Sequence, residues 1–258
     1  MTDQKTKAER FKALHVAGKP LVLFNVWDAG SARVVASAGA RALATGSWAV
    51  AAAHGLEDGE QLTLDLAIAN LERIVVVTDL PVSIDIESGY GDPARTIART
   101  IEAGAVGCNL EDSFPQDGTL REISEQVARI REARRAAEAA GVPYFINART
   151  DVFFQKGAEQ SEAFIQAAIE RAHAYADAGA DGIFVPGLTN IERIAELAAA
   201  SPLPVNVMLD QNSPAPDAFA QAGAARVSYG PAPYLLAMKV LEERARAGEE
   251  GPSSVLRE

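Results

Sequence analysis

The sequence predicts a (β/α)8 barrel, a TIM barrel, with an extra helix in front. Two observations carry the prediction. Eight short, near-continuously apolar runs alternate with Ala/Glu/Arg-rich stretches at helical spacing. A helix-stop signal, Ala-Gly followed by Ala or Val, also recurs five times just ahead of a strand, at Gly39, Gly104, Gly141, Gly179 and Gly223. In order, a helix over about Lys5–Ala17 precedes the first strand at Leu21–Val26. The following strands are expected at Arg41–Thr45, Pro81–Asp85, Ala105–Glu111 and Pro143–Arg149, then at Asp181–Val185, Pro204–Met208 and Ala225–Ser228. Long amphipathic stretches such as Ile123–Ala140 and Ser161–Ala178 supply the helices between them. The rival architecture is a doubly wound open sheet. Its Gly-rich phosphate fingerprint is missing after the first strand, where Asn25-Val26-Trp27-Asp28 stands instead. No internal linker is visible, so residues 1–247 read as one domain and 248–258 as a polar tail.

Composition narrows the function classes. A net charge of −11 argues against nucleic acid as a partner, because phosphate recognition needs clustered Lys and Arg. It leaves room for a small anionic substrate, which needs only one or two well-placed cations. No apolar run reaches the roughly 18 residues of a membrane span. The polar start, MTDQKTKAER, has no signal-peptide core, so neither membrane attachment nor export is expected. Cys108 is the single cysteine, which rules out an intrachain disulfide and suits a cytoplasmic location. With three histidines and no Cys/His ligand spacing, any metal would be held by oxygen.

Polar residues at the C-terminal ends of barrel strands point into the active-site mouth. The third strand ends in Asp85-Ile86-Glu87, the fourth in Asn109-Leu110-Glu111-Asp112, and the fifth in Asn147-Ala148-Arg149-Thr150-Asp151. Three neighbouring strands therefore bring carboxylates and one guanidinium to a single rim. Clustered carboxylates repel unless a cation or a proton sits among them, and hard oxygen ligands suit Mg2+ or Mn2+. Arg149 is placed to fork a substrate carboxylate. A 2-oxo acid chelating the ion would have its enolate stabilised. The competing reading is a structural ion network in which Arg149 bridges Glu111 and Asp85.

Other positions admit two readings each. Thr45-Gly46-Ser47-Trp48 follows the second strand, where small residues let backbone amides approach an anion; it also reads as a tight turn with Trp48 packing. Asp58 is either an active-site acid or the cap of a helix starting near Glu60. Asn206 faces either the barrel core or the mouth, Asp28 suits a helix N-cap, and Cys108 reads as a small core residue.

At these residues the sequence resembles the isocitrate lyase/phosphoenolpyruvate mutase superfamily. The matching pieces are Thr45-Gly46-Ser47-Trp48 with Asp58, the run from Asp85 to Gly91, Gly107–Asp112 and Ala148–Asp151. Pro204–Met208 and Arg226–Gly230 follow, and the likeness spans about Leu21 to Leu241. The resemblance implies a barrel whose eighth helix swaps onto a neighbour, in a homo-oligomeric dimer of dimers. It implies Mg2+ held by Asp85, with Glu87 and Glu111 acting directly or through waters. It places Arg149 on the substrate carboxylate, Ser47 and Trp48 near the 2-oxo acid, Asp58 close to the reacting group and Asn206 at the far side of the pocket.

The departures bear on the reaction. The loop Ser113–Leu120 has no Cys, Lys or His, whereas lyase members of the superfamily carry a Cys-bearing acid/base loop there and the phosphoryl-transfer members a Lys and an Asn. Glu87 replaces an Asp usual in the superfamily, and Pro186 stands where some lyases place a Glu. The expected activity is a Mg2+-dependent lyase reaction on a small 2-oxo acid, such as oxaloacetate decarboxylation or a related C–C cleavage. The alternatives are a C–P bond enzyme of the phosphonopyruvate hydrolase or phosphoenolpyruvate mutase type, and an inert 2-oxo acid binder.

Overall fold

The computed structural model describes residues 3–156 and 161–248. Helix α1 (Gln4–Ala13) leads into β1 (Leu21–Leu23), α2 (Ala29–Ser37), β2 (Leu43–Ala44), α3 (Ser47–Ala53) and α4 (Leu64–Val76). Then come β3 (Val82–Asp85), α5 (Pro93–Glu102), β4 (Gly107–Glu111), α6 (Ile123–Ala139), β5 (Phe145–Arg149) and α7 (Glu162–Asp177). The described residues finish with β6 (Gly182–Phe184), α8 (Ile191–Ala200), β7 (Val205–Met208), α9 (Pro216–Gln221), β8 (Arg226–Ser228) and α10 (Ala232–Gly248).

All eight strands pair in parallel, in the order β1-β8-β7-β6-β5-β4-β3-β2. A parallel bridge between Val26 and Thr45, with the Val26 amide donating to Ala44, joins β1 to β2. The sheet is therefore a cylinder with helices around it, the predicted (β/α)8 barrel. Each expected strand is present, trimmed at its ends. The five predicted helix-stop glycines all take positive φ, from 68° at Gly141 to 101° at Gly179, which a side chain would resist. At Gly104 an added Cβ would also lie 2.8 Å from a methyl of Val75.

The extra N-terminal helix closes one end of the barrel. Ala8, Phe11 and Leu14 of this segment are buried with Leu21, Leu23, Val106 and Phe145. His15 stacks on Phe145 with ring centroids 4.0 Å apart. The expected tail lies outside the described residues beyond Gly248, where α10 ends.

Two local expectations are corrected. The second strand is followed by a helix, α3, so the tight-turn reading of Thr45–Trp48 covers only its entry. Helix α4 starts at Leu64 and is capped by Thr63, whose hydroxyl accepts from the Leu66 amide, so Asp58 is free of capping duty. Asp28 does cap its helix, accepting from the Ser31 amide at 2.7 Å while Ser31 reaches back to the Asp28 amide.

Helix α10 presents Leu235, Leu236, Val240 and Leu241 to solvent. On the outer wall of the barrel, Val22, Phe24 and Val34 are likewise exposed. They border an apolar groove of about 540 Å³ with Leu21, Val35 and Ala38.

Candidate active site

The strand ends deliver their side chains through register. In the ladder Asp85 sits beside Asn109, and Glu111 beside Arg149. Since β3, β4 and β5 are adjacent, the two acids and the guanidinium share one end of the cylinder. Asp85 is fixed from several sides. Its amide donates to the Thr45 hydroxyl at 2.9 Å, its Oδ1 accepts from the Glu87 amide at 3.0 Å, and its Oδ2 accepts from Asn109 Nδ2 at 3.2 Å.

A cleft of about 190 Å³ opens there, below the roughly 300–1,000 Å³ of pockets for drug-sized ligands. Asp58, Asp85 and Arg149 are its ionisable lining groups. Gly46, Ser47, Trp48 and Asn25 line it together with the apolar Phe154, Phe184, Pro186 and Met208. Tyr234 of α10 packs edge-on against Trp27 at 5.2 Å and Trp48 at 6.0 Å, so α10 begins at the mouth.

Arg149 is tied down by two acids. Its Nε and Nη2 fork the Asp151 carboxylate at 2.6 and 3.0 Å, and Nη1 meets Glu111 at 2.9 Å. The ion network thus uses Asp151 where Asp85 had been the expected second partner. A guanidinium has five N–H groups, and these contacts occupy three. Two remain for a ligand. Burial alone would lower the Arg149 pKa, but Glu111 and then Asp151 more than reverse it, so the side chain stays charged. Burial pushes the Glu111 carboxyl upward against the pull of Arg149.

Burial also raises Asp58, with further repulsion from Asp85 and an opposing hydrogen bond from Ser47. Glu87 is pushed up to about 7 by burial first and Asp58 second. Asp85 thus acts against ionisation of both Asp58 and Glu87, and Asp58 against that of Glu87, as expected for a group awaiting a cation or proton.

A model of the phosphoenolpyruvate phosphomutase family matches residues 11–248. A solved structure from Burkholderia cenocepacia J2315, assigned as a phosphonomutase, is 58% identical, with a TM-score of 0.92 over 95% of this chain and 100% of that one. An uncharacterised protein of Mycobacterium tuberculosis H37Rv is 34% identical over 95% of this chain and 92% of its own. The 2-methylisocitrate lyase of Escherichia coli K12 is 33% identical over 76% of this chain and 67% of its own. The chain belongs to the phosphoenolpyruvate mutase/isocitrate lyase superfamily.

Within that superfamily's expected site, the structure sorts the residues singled out from sequence. Asp58, Asp85, Arg149, Gly46, Ser47 and Trp48 all line the cleft. Thr45 lies behind it, holding the Asp85 amide. Asn206 is buried beneath it, accepting from Asn147 Nδ2 at 3.0 Å and donating toward Ser228. Glu87 turns aside, its Oε2 accepting from the amides of Gly59, at 2.8 Å, and Glu60. Glu111 is engaged by Arg149 and Ser113. Of Asp85, Glu87 and Glu111, Asp85 alone lines the cleft, while the two glutamates hold other partners beside it. Among the described residues, no group of three His, Cys, Asp or Glu is spaced to hold a metal. A magnesium ion that keeps most of its waters needs only one or two carboxylates, and Asp85, which lines the cleft with Asp58 beside it, fits that demand.

Sequence reasoning missed three participants. Asp151 orients Arg149; its place two residues beyond a strand-end arginine was the available signal. Asn25 accepts from the amides of Tyr229 and Gly230 and donates to the Thr45 carbonyl, tying three strands at the cleft. Arg226 is fully buried inside the barrel and donates to Asn109 at 3.2 Å, which in turn donates to Asp85. An internal arginine has no period-based signature in so short a strand.

Proposed function

We propose that the chain is a divalent-metal-dependent lyase cleaving a C–C bond of a small 2-oxo acid, with an oxaloacetate-like diacid as the substrate class. The observation that carries the reading is the convergence of two acids, Asp58 and Asp85, and the Arg149 guanidinium on one small cleft. Mg2+ or Mn2+ bound at Asp85 would supply positive charge against the negative charge that develops on the substrate oxygens. The protein's own share is binding, orientation and proton handling. The two unused N–H groups of Arg149 hold a carboxylate, in an orientation set by the Asp151 fork. Phe184 and Pro186 give the cleft an apolar lining. Asp58 has a raised pKa, so it retains a proton to higher pH than an ordinary aspartate and can deliver it to the carbon of the enolate left when the C–C bond breaks and CO2 departs. That assigns to Asp58 the work for which the loop Ser113–Leu120 has no Cys, Lys or His.

The test is turnover of a panel of 2-oxo diacids, oxaloacetate first, with Mg2+ and with EDTA. Metal-dependent release of a C–C cleavage product is expected. Turnover unaffected by EDTA, or none on any 2-oxo diacid, would contradict the reading. The 58% identity to a protein assigned as a phosphonomutase favours a second reading, C–P chemistry in the same cleft. A new phosphorus NMR signal from phosphonopyruvate would support it. Ligand-dependent thermal stabilisation without turnover would instead mark an inert binder.

We also propose a homo-oligomer in which the apolar face of α10 covers the groove beside Val22, Phe24 and Val34 of a second copy. Each exposed surface lacks a cover within the described residues, and both are apolar.

A further inference from the structure

Among the described residues, three other than glycine adopt a left-handed backbone: Glu60, Glu87 and Tyr90, with φ of 60°, 50° and 53°. Such conformations are costly and persist where the surroundings impose them, most often at functional sites. All three belong to one cluster. It joins the segment carrying Asp58 to the turn after β3.

The contacts are reciprocal. The Glu87 carboxylate accepts from the amides of Gly59, at 2.8 Å, and Glu60. The Glu60 carboxylate accepts in return from the Ser88 hydroxyl at 2.7 Å and the Tyr90 amide at 2.8 Å. Arg129 of α6 donates to the Ser88 carbonyl, anchoring the turn to the outer helices. Both Glu87 and Ser88 are buried. Gly59 itself, at φ 98°, leaves only 3.2 Å between an added Cβ and the Pro115 carbonyl, so the same segment seats the loop after β4.

We infer that Glu60 and Glu87 form a carboxylate–amide clamp that positions Asp58 over the cleft, and that Glu87 acts through this clamp and not as a metal ligand. Oε2 of Glu87 is spent on two amides, Oε1 lies 3.4 Å from the Tyr90 hydroxyl, and the residue does not line the cleft. The extra methylene of Glu over Asp is what lets the side chain span from β3 to the 58–60 segment. An aspartate there would stop short. Glu60 and Glu87 are thus positioning residues. The role given to Asp58 rests on the reading above, whereas the clamp itself stands on the loop geometry.

The experiment compares full-length wild type with Glu60→Ala, Glu87→Ala and Glu87→Asp, by amide hydrogen exchange over 54–62 and by Mn2+ affinity from water-proton relaxation. Each variant is expected to speed exchange at Gly59 by about tenfold or more. Mn2+ binding is expected to weaken and yet persist in every variant, because Glu87 is buried beside Asp85 and its charge, though outside the coordination shell, is little screened. Glu60→Gln replaces Glu60→Ala should the latter not fold, with a smaller increase at Tyr90 and Gly59 expected. Native exchange at Gly59 in Glu60→Ala (or its Gln substitute) and Glu87→Asp would overturn the clamp. So would loss of Mn2+ binding in Glu87→Ala with retention in Glu87→Asp, since that pattern belongs to a ligand. If wild type binds no Mn2+, the metal reading fails while the exchange result still decides the clamp.

Discussion

Arg149 is where charge, burial and ligand recognition meet. Its guanidinium pairs with both Glu111 and Asp151, so truncation removes more than a substrate contact. Arg149→Ala leaves two buried carboxylates unpaired and should cost about 3–5 kcal/mol of stability. Arg149→Lys keeps the charge but loses the fork. With Mg2+ present, its thermal stabilisation by pyruvate should vanish while the melting temperature falls only modestly; a wild-type shift would contradict the assigned role. The acids give a second prediction. The Glu87 carboxyl has a folded pKa of about 7 against an ordinary 4.5. The folded state therefore binds the extra proton, and stability falls as pH rises through that window. The raised Asp58 acts in the same direction. Without metal, stability should drop by on the order of 3 kcal/mol between about pH 4.5 and 7. Mg2+ should offset the drop, and Glu87→Gln should flatten it. A melting temperature that rises over this range without metal would refute the electrostatic description.

At the scale of elements, β4 and β5 hold the site through Asp112. This fully buried carboxylate accepts from the Asp151 amide at 2.9 Å, the Tyr175 hydroxyl at 2.7 Å and Arg171 at 3.2 Å. Tyr175→Phe should cost about 1–3 kcal/mol by leaving a buried acceptor short of a donor. Chemical denaturation would detect it; a neutral result would mean that Asp112 is satisfied without α7. Element positions were legible in the sequence because each strand is a continuous apolar run and five helices end at an Ala-Gly. The rim acids and Arg149 were legible for the same reason, since a barrel strand's last residues face the mouth. What α3 does was not legible: Ser47–Ala53 is short, and its entry Thr45-Gly46 has turn chemistry. Nor could spacing show where Glu87 points. Its direction follows from a left-handed backbone and from amides 27 and 28 residues away, a tertiary choice that local pattern does not encode.

For the whole molecule, the closed cylinder brings residues far apart in sequence to one mouth, while α10 leaves an apolar face in water. Leu236→Asp combined with Leu241→Asp should lower the mass seen by light scattering to that of a smaller assembly, with the barrel still folded. An unchanged mass would show that α10 takes no part in association. The space between Asp85 and Arg149 is where metal and substrate would meet. The most direct measurement is an anomalous difference map from crystals soaked with Mn2+ and pyruvate. A metal peak is expected within coordination distance of an Asp85 oxygen, roughly 2.0–2.2 Å, with a carboxylate against the free edge of Arg149. A metal held by Glu87 without Asp85, or an acid bound away from Arg149, would contradict it.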